Sequence, residues 1–440
     1  MPPFQFDPRE MILGPYTVCS ACGEDALGTE SIDRNQLVRR CRNCLGGASV
    51  ERLPLLHKKI VYLDQMVLSN LAKAIDPVWK REKRQLDPFW LDMFDALDRA
   101  LKLQLVVFPE SRIHQQESVV YQHFSALRGL YEHFASGTDF EFPSIVHRKQ
   151  LIHAFRQVLR RVPVEYESLP RSLFVEGDVD GWMNRIRLAV RWAAAEPDPV
   201  VTERVSRNSR VAFQTTFAGW AAAKKTFEQV YSFERRGLAD ATVELTREHE
   251  RTIERWEQGD DTAGDNLVNM RMEVDTVLQL IRLAQIEGGL EEQEAQHATW
   301  TFLYSDEAMN APANDISALL MAALSRRAAS GQKGGRLGGM WNDFTAIASY
   351  LPYCDAMFID NECASLLAEG PLTQRITYAT KIFSTRSREE FLKYLRALEN
   401  DAGTEHVERV SRVYGVEWLT PYRTILEKQR NKDARPRDDD

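Results

Sequence analysis

Four cysteines near the N-terminus, Cys19, Cys22, Cys41 and Cys44, stand as C-x2-C, eighteen residues, C-x2-C, and no other feature of the chain so narrows what it can fold into. Two residues between cysteines let a tight turn aim both sulfurs at one ion, and an intervening hairpin brings the second pair round to complete a tetrahedron. Gly23 and the Gly46–Gly47 pair follow the two knuckles, where turning backbone favours glycine. The spacing predicts a small zinc ribbon over 1–52, its ion held by four thiolates with no position left open for catalysis. Such an ion staples a segment too small to fold alone. Arg34, Arg39, Arg40 and Arg42 lie within or beside it; a solvated basic face is expected, with a contact to RNA or DNA as the alternative. Cys354 and Cys363 border an apolar segment far away and are expected to be buried thiols, not ligands.

The metal reading assumes a reducing compartment, and the N-terminus supports one. MPPFQFDPRE has acids and prolines where a signal peptide needs a basic stretch and an apolar run, and no window reaches the ~20 apolar residues of a membrane span. A cytoplasmic protein with no membrane partner is expected. With 44% hydrophobic and 10% aromatic residues in 440, a disordered chain is excluded. The balance of 56 Lys and Arg against 64 Asp and Glu gives a net charge of −8, so any site for a polyanion must be local or metal-assisted.

Along the chain, KKIVYLD (58–64) reads as a buried strand ending in Asp64, followed by a helix, QMVLSNLAKAI. A polar loop with two prolines spans 76–88 and carries Lys80, Arg81, Lys83 and Arg84. Residues 89–102 read as an amphipathic helix, 103–108 as a second strand closed by Pro109, and a third helix begins near Ser111. Helical periodicity with charged faces then dominates 121–310, an insert of four to seven helices without a convincing strand apart from ambiguous short runs. After a helix at 313–329, a glycine-rich loop at 330–340 carries Lys333 and Arg336 but lacks the GK[ST] ending of a P-loop. A helix beginning at Asn342 or Asp343 follows, then a strand at 355–360 closed by Asp360, a helix at 361–369, a strand at 380–384 and a helix at 386–398. The segment 421–440 reads as a charged tail. Strands alternating with helices at both ends predict one parallel α/β sheet, its halves at 55–120 and 311–420 split by the insert. Two R-x4-H patterns, Arg128 to His133 and Arg148 to His153, are similar to that of HEPN ribonucleases but arise readily in an arginine-rich chain.

In such a sheet the site lies beyond the carboxyl ends of the strands. The carboxylates able to converge there are Asp64, Glu117, Asp343 and Asp360; Glu110 is a substitute for Glu117 that better serves the first turn of its helix, and Asp355 could replace or assist Asp360 but precedes its strand and is expected at the wrong end of the sheet. An oxygen-rich, histidine-free set suits Mg²⁺ or Mn²⁺, which can activate water and neutralise charge on a scissile phosphate.

At these residues the chain resembles the PIN-like nuclease superfamily. The matching text is VYLDQMVLSNL around Asp64, VVFPESRIHQQES leading to Glu117, NDFTAIASYLPYCDAMFIDNECASLL carrying Asp343 and Asp360, and KIFSTRSREEFLKYL, similar to the closing strand and helix of that fold. The resemblance covers roughly 55–120 and 315–400. It departs from the family pattern after the first aspartate, where Gln65 and Met66 stand in place of a small polar residue and an asparagine. The resemblance implies a metal-dependent endoribonuclease with Asp64, Glu117, Asp343 and Asp360 as its catalytic and Mg²⁺/Mn²⁺-binding residues, and an insert that shapes substrate access. Two alternatives stand beside it: a DNA nuclease on the same site, and a non-catalytic regulatory protein whose insert recognises a partner and whose acids are vestigial.

Overall fold

A computed structural model describes residues 7–76, 87–118, 124–185, 199–260, 271–331 and 340–433. The basic run at Lys80 to Arg84, the loop residues Lys333 and Arg336, and the last seven residues of the tail lie outside them.

The N-terminal segment is a four-stranded antiparallel sheet in the order β1 (Leu13–Val18), β2 (Asp25–Asp33), β3 (Gln36–Cys41), β4 (Ser49–Arg52). Next comes β5 (Lys59–Leu63), then α1 (Gln65–Ile75), α2 (Phe89–Lys102), β6 (Val106–Val107), α3 (Arg112–Ser118) and α4 (Phe124–Ala135). The middle of the chain holds β7 (Asp139–Phe140), α5 (Pro143–Leu159), β8 (Val175–Glu176), α6 (Pro199–Ala223), α7 (Phe227–Glu257), α8 (Met272–Ile286), α9 (Glu292–Leu303) and the short α10 (Asp306–Met309). The last third brings α11 (Pro312–Ala329), α12 (Met340–Tyr350), β9 (Ala356–Phe358), α13 (Asn361–Leu367), α14 (Gly370–Arg375), β10 (Lys381–Phe383), α15 (Arg388–Tyr414) and α16 (Tyr422–Asp433).

Strands from the two ends of the chain form one parallel sheet in the order β10-β9-β5-β6. Its side chains alternate between two cores, as a pleated strand buried on both faces requires. Ile60, Tyr62, Val107 and Met357 face the layer of α11 and α12, while Val61, Leu63, Val106, Ala356, Phe358 and Phe383 face α1, α2, α4 and α15. The chain is thus mixed α/β, with a small antiparallel sheet at its N-terminus.

Three expectations are corrected. The region 121–310 resolves its ambiguous short runs into two strands, β7 and β8, which pair antiparallel over two residues each. They were illegible because two residues are too few for a period-2 pattern. The final segment is not all tail, since α16 runs to Asp433 and docks where the Tyr422 N–H donates to Asp98 Oδ2 (2.8 Å). The helix expected at 386–398 continues to Tyr414 through a break at Gly403 (φ +73), because Val410, Val413 and Tyr414 form a second apolar face that packs under the N-terminal sheet against Ile32 and Leu37.

Candidate functional site

The N-terminal sheet brings the four knuckle cysteines together. Cys19 Sγ lies 3.9 Å from Cys44 Sγ and Cys22 Sγ 3.7 Å from Cys41 Sγ, with all four sulfurs within 4.8 Å of one another. A disulfide would put two sulfurs ~2.05 Å apart, whereas a tetrahedron with ~2.3 Å Zn–S bonds sets them ~3.8 Å apart. Backbone N–H groups of Ala21 and Cys44 donate to Cys19 and Cys41 Sγ (3.4 and 3.5 Å), the turn geometry that prepares a thiolate. The Cys44 N–H is the main cause of a Cys41 thiol lowered to about 7. Gly47 sits at φ +62, and a Cβ there would stand 2.8 Å from Cys19 Sγ. The cluster can hold a zinc ion, with no protein position left over for substrate.

The second site lies on the parallel sheet. Strand order reverses between β5 and β9, so their connections diverge to opposite sides and leave a crevice beyond their carboxyl ends. Asp64 follows β5 and caps α1, its Oδ1 accepting the Met66 N–H (2.8 Å). Asp360 follows β9 and caps α13, its Oδ1 accepting the N–H groups of Glu362 (2.5 Å) and Cys363 (3.0 Å). Both strand–Asp–helix corners aim a carboxylate into the crevice while satisfying helix-start donors. Asp343 enters from the first turn of α12. Glu117 enters from α3, a helix anchored by the buried His114, which is stacked on Tyr62 and Tyr131 and pushed down to about 3 by burial, so it is a neutral packing residue.

The four acids line one cleft of about 750 Å³ together with Gln65, Met66, Arg327, Asn361, Thr385 and Arg386. Within it, donor atoms of Asp343, Asp360 and Cys363 fall within 4.8 Å of one another; Asp64 and Glu117 stand outside that tight group. Asp64 is 8% exposed, and burial, joined by the charges of Glu117 and Asp360, pushes its carboxyl up to about 7 against the pull of the Met66 N–H. Burial, then the charges of Asp64, Asp360 and Glu117, holds Asp343 well above the usual carboxylate range. Burial also raises Glu117, opposed by the Asn342 side chain, whose Nδ2 donates to Glu117 Oε1 (2.8 Å). Hard oxygen donors held this close repel one another until protons or a cation intervene, so the residues present fit a divalent ion.

Neither substitute acid reaches the cleft. Asp355 sits at the opposite end of β9, where it accepts the Ile60 N–H (2.9 Å) and pairs with Lys59 (3.2 Å) and Arg171. Glu110 is bridged through its backbone to β7, its N–H donating to the Thr138 carbonyl and its own carbonyl accepting the Phe140 N–H. The R-x4-H residues are taken up structurally: His133 bonds Asp98 (2.8 Å), Arg148 pairs with Asp275 (2.6 Å) and His153 meets the Glu165 carbonyl (3.1 Å). On the ribbon, Arg40 pairs with Glu30 (2.7 Å) and the Arg42 guanidinium donates to the Tyr16 hydroxyl (3.3 Å).

Two members of the site escaped the sequence reading. The sequence marks Asn342 only as a helix start and Cys363 only as a buried thiol. Cys363 is indeed fully buried, yet at the third position of the Asp360-capped turn it also faces the carboxylates. The adjacency of Asn342 to Asp343 was the available signal; nothing in the sequence marked Cys363. A larger cavity of about 1270 Å³ lies away from these acids, between the N-terminal sheet and α15–α16. Among the described residues no helix is long and apolar enough to cross a membrane. Comparison with protein-family models, with curated proteins and with solved structures finds no match for this chain.

Proposed function

We propose that the chain is a divalent-metal-dependent nuclease that hydrolyses RNA phosphodiesters endonucleolytically, with a PIN-like core split by its helical insert. The observation that carries this reading is the meeting of Asp64, Glu117, Asp343 and Asp360 in one cleft at the reversal point of a parallel sheet, from positions nearly the whole core apart in sequence. Crowded, buried carboxylates with raised affinities for protons are a poor arrangement for stability and a good one for a cation.

In this reading Asp343, Asp360 and Asp64 would hold the ion, and Glu117, fixed by Asn342, would accept a hydrogen bond from the attacking water and orient it. A bound Mg²⁺ or Mn²⁺ supplies a water of lowered pKa and neutralises charge on the phosphate. The Asp64 and Asp360 caps tie both ligands to the ends of rigid strands, which keeps the donors in place when substrate arrives. Zinc in the ribbon has a separate, structural role.

The test is cleavage of an RNA oligonucleotide by wild type and Asp64→Asn in Mg²⁺, Mn²⁺ or EDTA. The asparagine keeps the shape and the cap but not the charge, so cleavage should collapse by about 10³-fold or more, and EDTA should abolish it in the wild type. EDTA-insensitive cleavage, or an asparagine variant as active as wild type, would sink the metal-site mechanism. Metal-dependent cleavage of DNA with none of RNA would move the reading to a DNA nuclease, and metal binding without cleavage of either to a regulatory protein.

A further inference from the structure

Resting on the nuclease reading, we infer that Arg386 grips a phosphate of the RNA strand at the edge of the acid cleft. The cleft also includes Glu362, which makes five carboxylates lining one cavity with Arg386 beside them. An exposed arginine in such company ordinarily closes an ion pair, because a bidentate guanidinium–carboxylate contact is the strongest available to it. Arg386 closes none with any described residue, although it is exposed at the rim of the same cavity.

Its neighbours show the contrast. Arg388, two residues on, pairs with Asp87 and lies over the Phe89 ring, 4.7 Å from its centroid. Arg326 and Arg327, where α11 ends, both pair with Glu369, and Arg327 also donates to Ser365 (3.1 Å). Arg388 has an acid of its own and Arg326 and Arg327 share Glu369, so each of the three closes an ion pair. The Arg386 charge is left for a ligand.

The backbone places Arg386 at the rim of the cleft. Arg386 lies in the short turn that follows β10, and its N–H donates to Asn361 Oδ1 (3.2 Å) and Ser384 Oγ (3.3 Å), while Asn361 Nδ2 donates to Thr385 Oγ1 (2.6 Å). Asn361 is the first residue of the helix that Asp360 caps. The arginine is therefore stapled in fixed register to one candidate metal ligand, one strand over along the same sheet edge. A cation held by the acids would meet one face of a phosphodiester, and a guanidinium carried at the rim on this bonded backbone would reach an oxygen of the same or the adjoining phosphate. This is how a chain of net charge −8 can hold a polyanion locally.

The experiment compares the 440-residue chain with Arg386→Gln and Arg386→Lys. Binding of a fluorescent single-stranded RNA is measured across a KCl series in the Asp64→Asn background, which keeps the strand uncut; cleavage kinetics are measured with Asp64 intact. Arg386→Gln should weaken binding about tenfold and lower the slope of log Kd against log salt by about 0.7, the increment for one phosphate contact on a single strand. KM should rise more than kcat falls. Arg386→Lys should recover the slope but only part of the affinity, since a point charge replaces a fork. Mn²⁺ binding, followed by calorimetry, should be unchanged in both. If Arg386→Gln keeps the wild-type affinity and slope while the wild type still cleaves RNA, this inference is wrong and the nuclease reading stands. If the wild type neither binds nor cleaves RNA, both fall. Loss of Mn²⁺ binding in Arg386→Gln and Arg386→Lys would overturn the inference by showing a disturbed metal cluster, and an equal loss on a DNA strand with none on RNA would overturn the choice of RNA.

Discussion

Asn342 holds Glu117 by a hydrogen bond and stands beside Asp343 in sequence, so one residue couples two of the four acids. Removing it frees the Glu117 carboxylate from its side-chain donor among the described residues and lets burial drive it further toward the protonated form. Groups that orient metal-binding carboxylates typically account for 10–100-fold in affinity, and Asn342→Ala should weaken Mn²⁺ binding by about that factor while leaving urea stability within about 1 kcal/mol. Calorimetric titration reads the first and equilibrium unfolding the second; Mn²⁺ affinity equal to wild type would remove Asn342 from the site. At this scale the sequence was informative wherever a residue type carries chemistry alone. Asp64 and Asp360 were legible because an acid closing an apolar strand stands out. Asn342 and Cys363 were not, because an amide and a buried thiol have common structural uses and acquire this one only through their neighbours.

Among the elements, the N-terminal sheet is bound to the rest through α15, where Ile32 and Leu37 meet Val410, Val413 and Tyr414. Four strands with so few buried residues make a small core, which an ion held by the four cysteines would staple. Cys41→Ser should lower zinc from about one ion per chain, loosen β1–β4 and spare the parallel sheet. Metal analysis checks the first, and hydrogen exchange the rest, with protection lost over 13–52 and retained in β5 and β9. Full zinc occupancy in that variant would count against the assignment. The four cysteines announced this element because metal coordination imposes spacing on sequence directly. The strands β7 and β8 and the second half of α15 had no such imprint, since both are fixed by the surfaces they pack against.

For the whole molecule, the acid cleft is a source of instability that pH can switch. Asp64 holds its proton up to about 7 when folded and only to about 4 when unfolded. Its raised affinity adds stability that is full below pH ~4 and is lost as pH rises through about 7. In EDTA the wild type should therefore lose stability relative to Asp64→Asn between pH 5 and pH 8, by roughly 1–2 kcal/mol in urea melts. Mn²⁺ at pH 8 should restore the wild type and leave the variant unchanged; parallel curves without metal would show that the carboxylates do not repel one another. The amino-acid sequence by itself determined the ribbon, the alternation of strand and helix at both ends and the acids at strand ends, because coordination spacing, pleat period and strand punctuation are local and survive in one dimension. Only the tertiary structure decided that β5 and β9 lie side by side, that Cys363 joins the cluster and that Arg386 stays unpaired among the described residues. These depend on strand order and on contacts between residues up to about 300 positions apart, and no local pattern encodes which long loop closes on which edge.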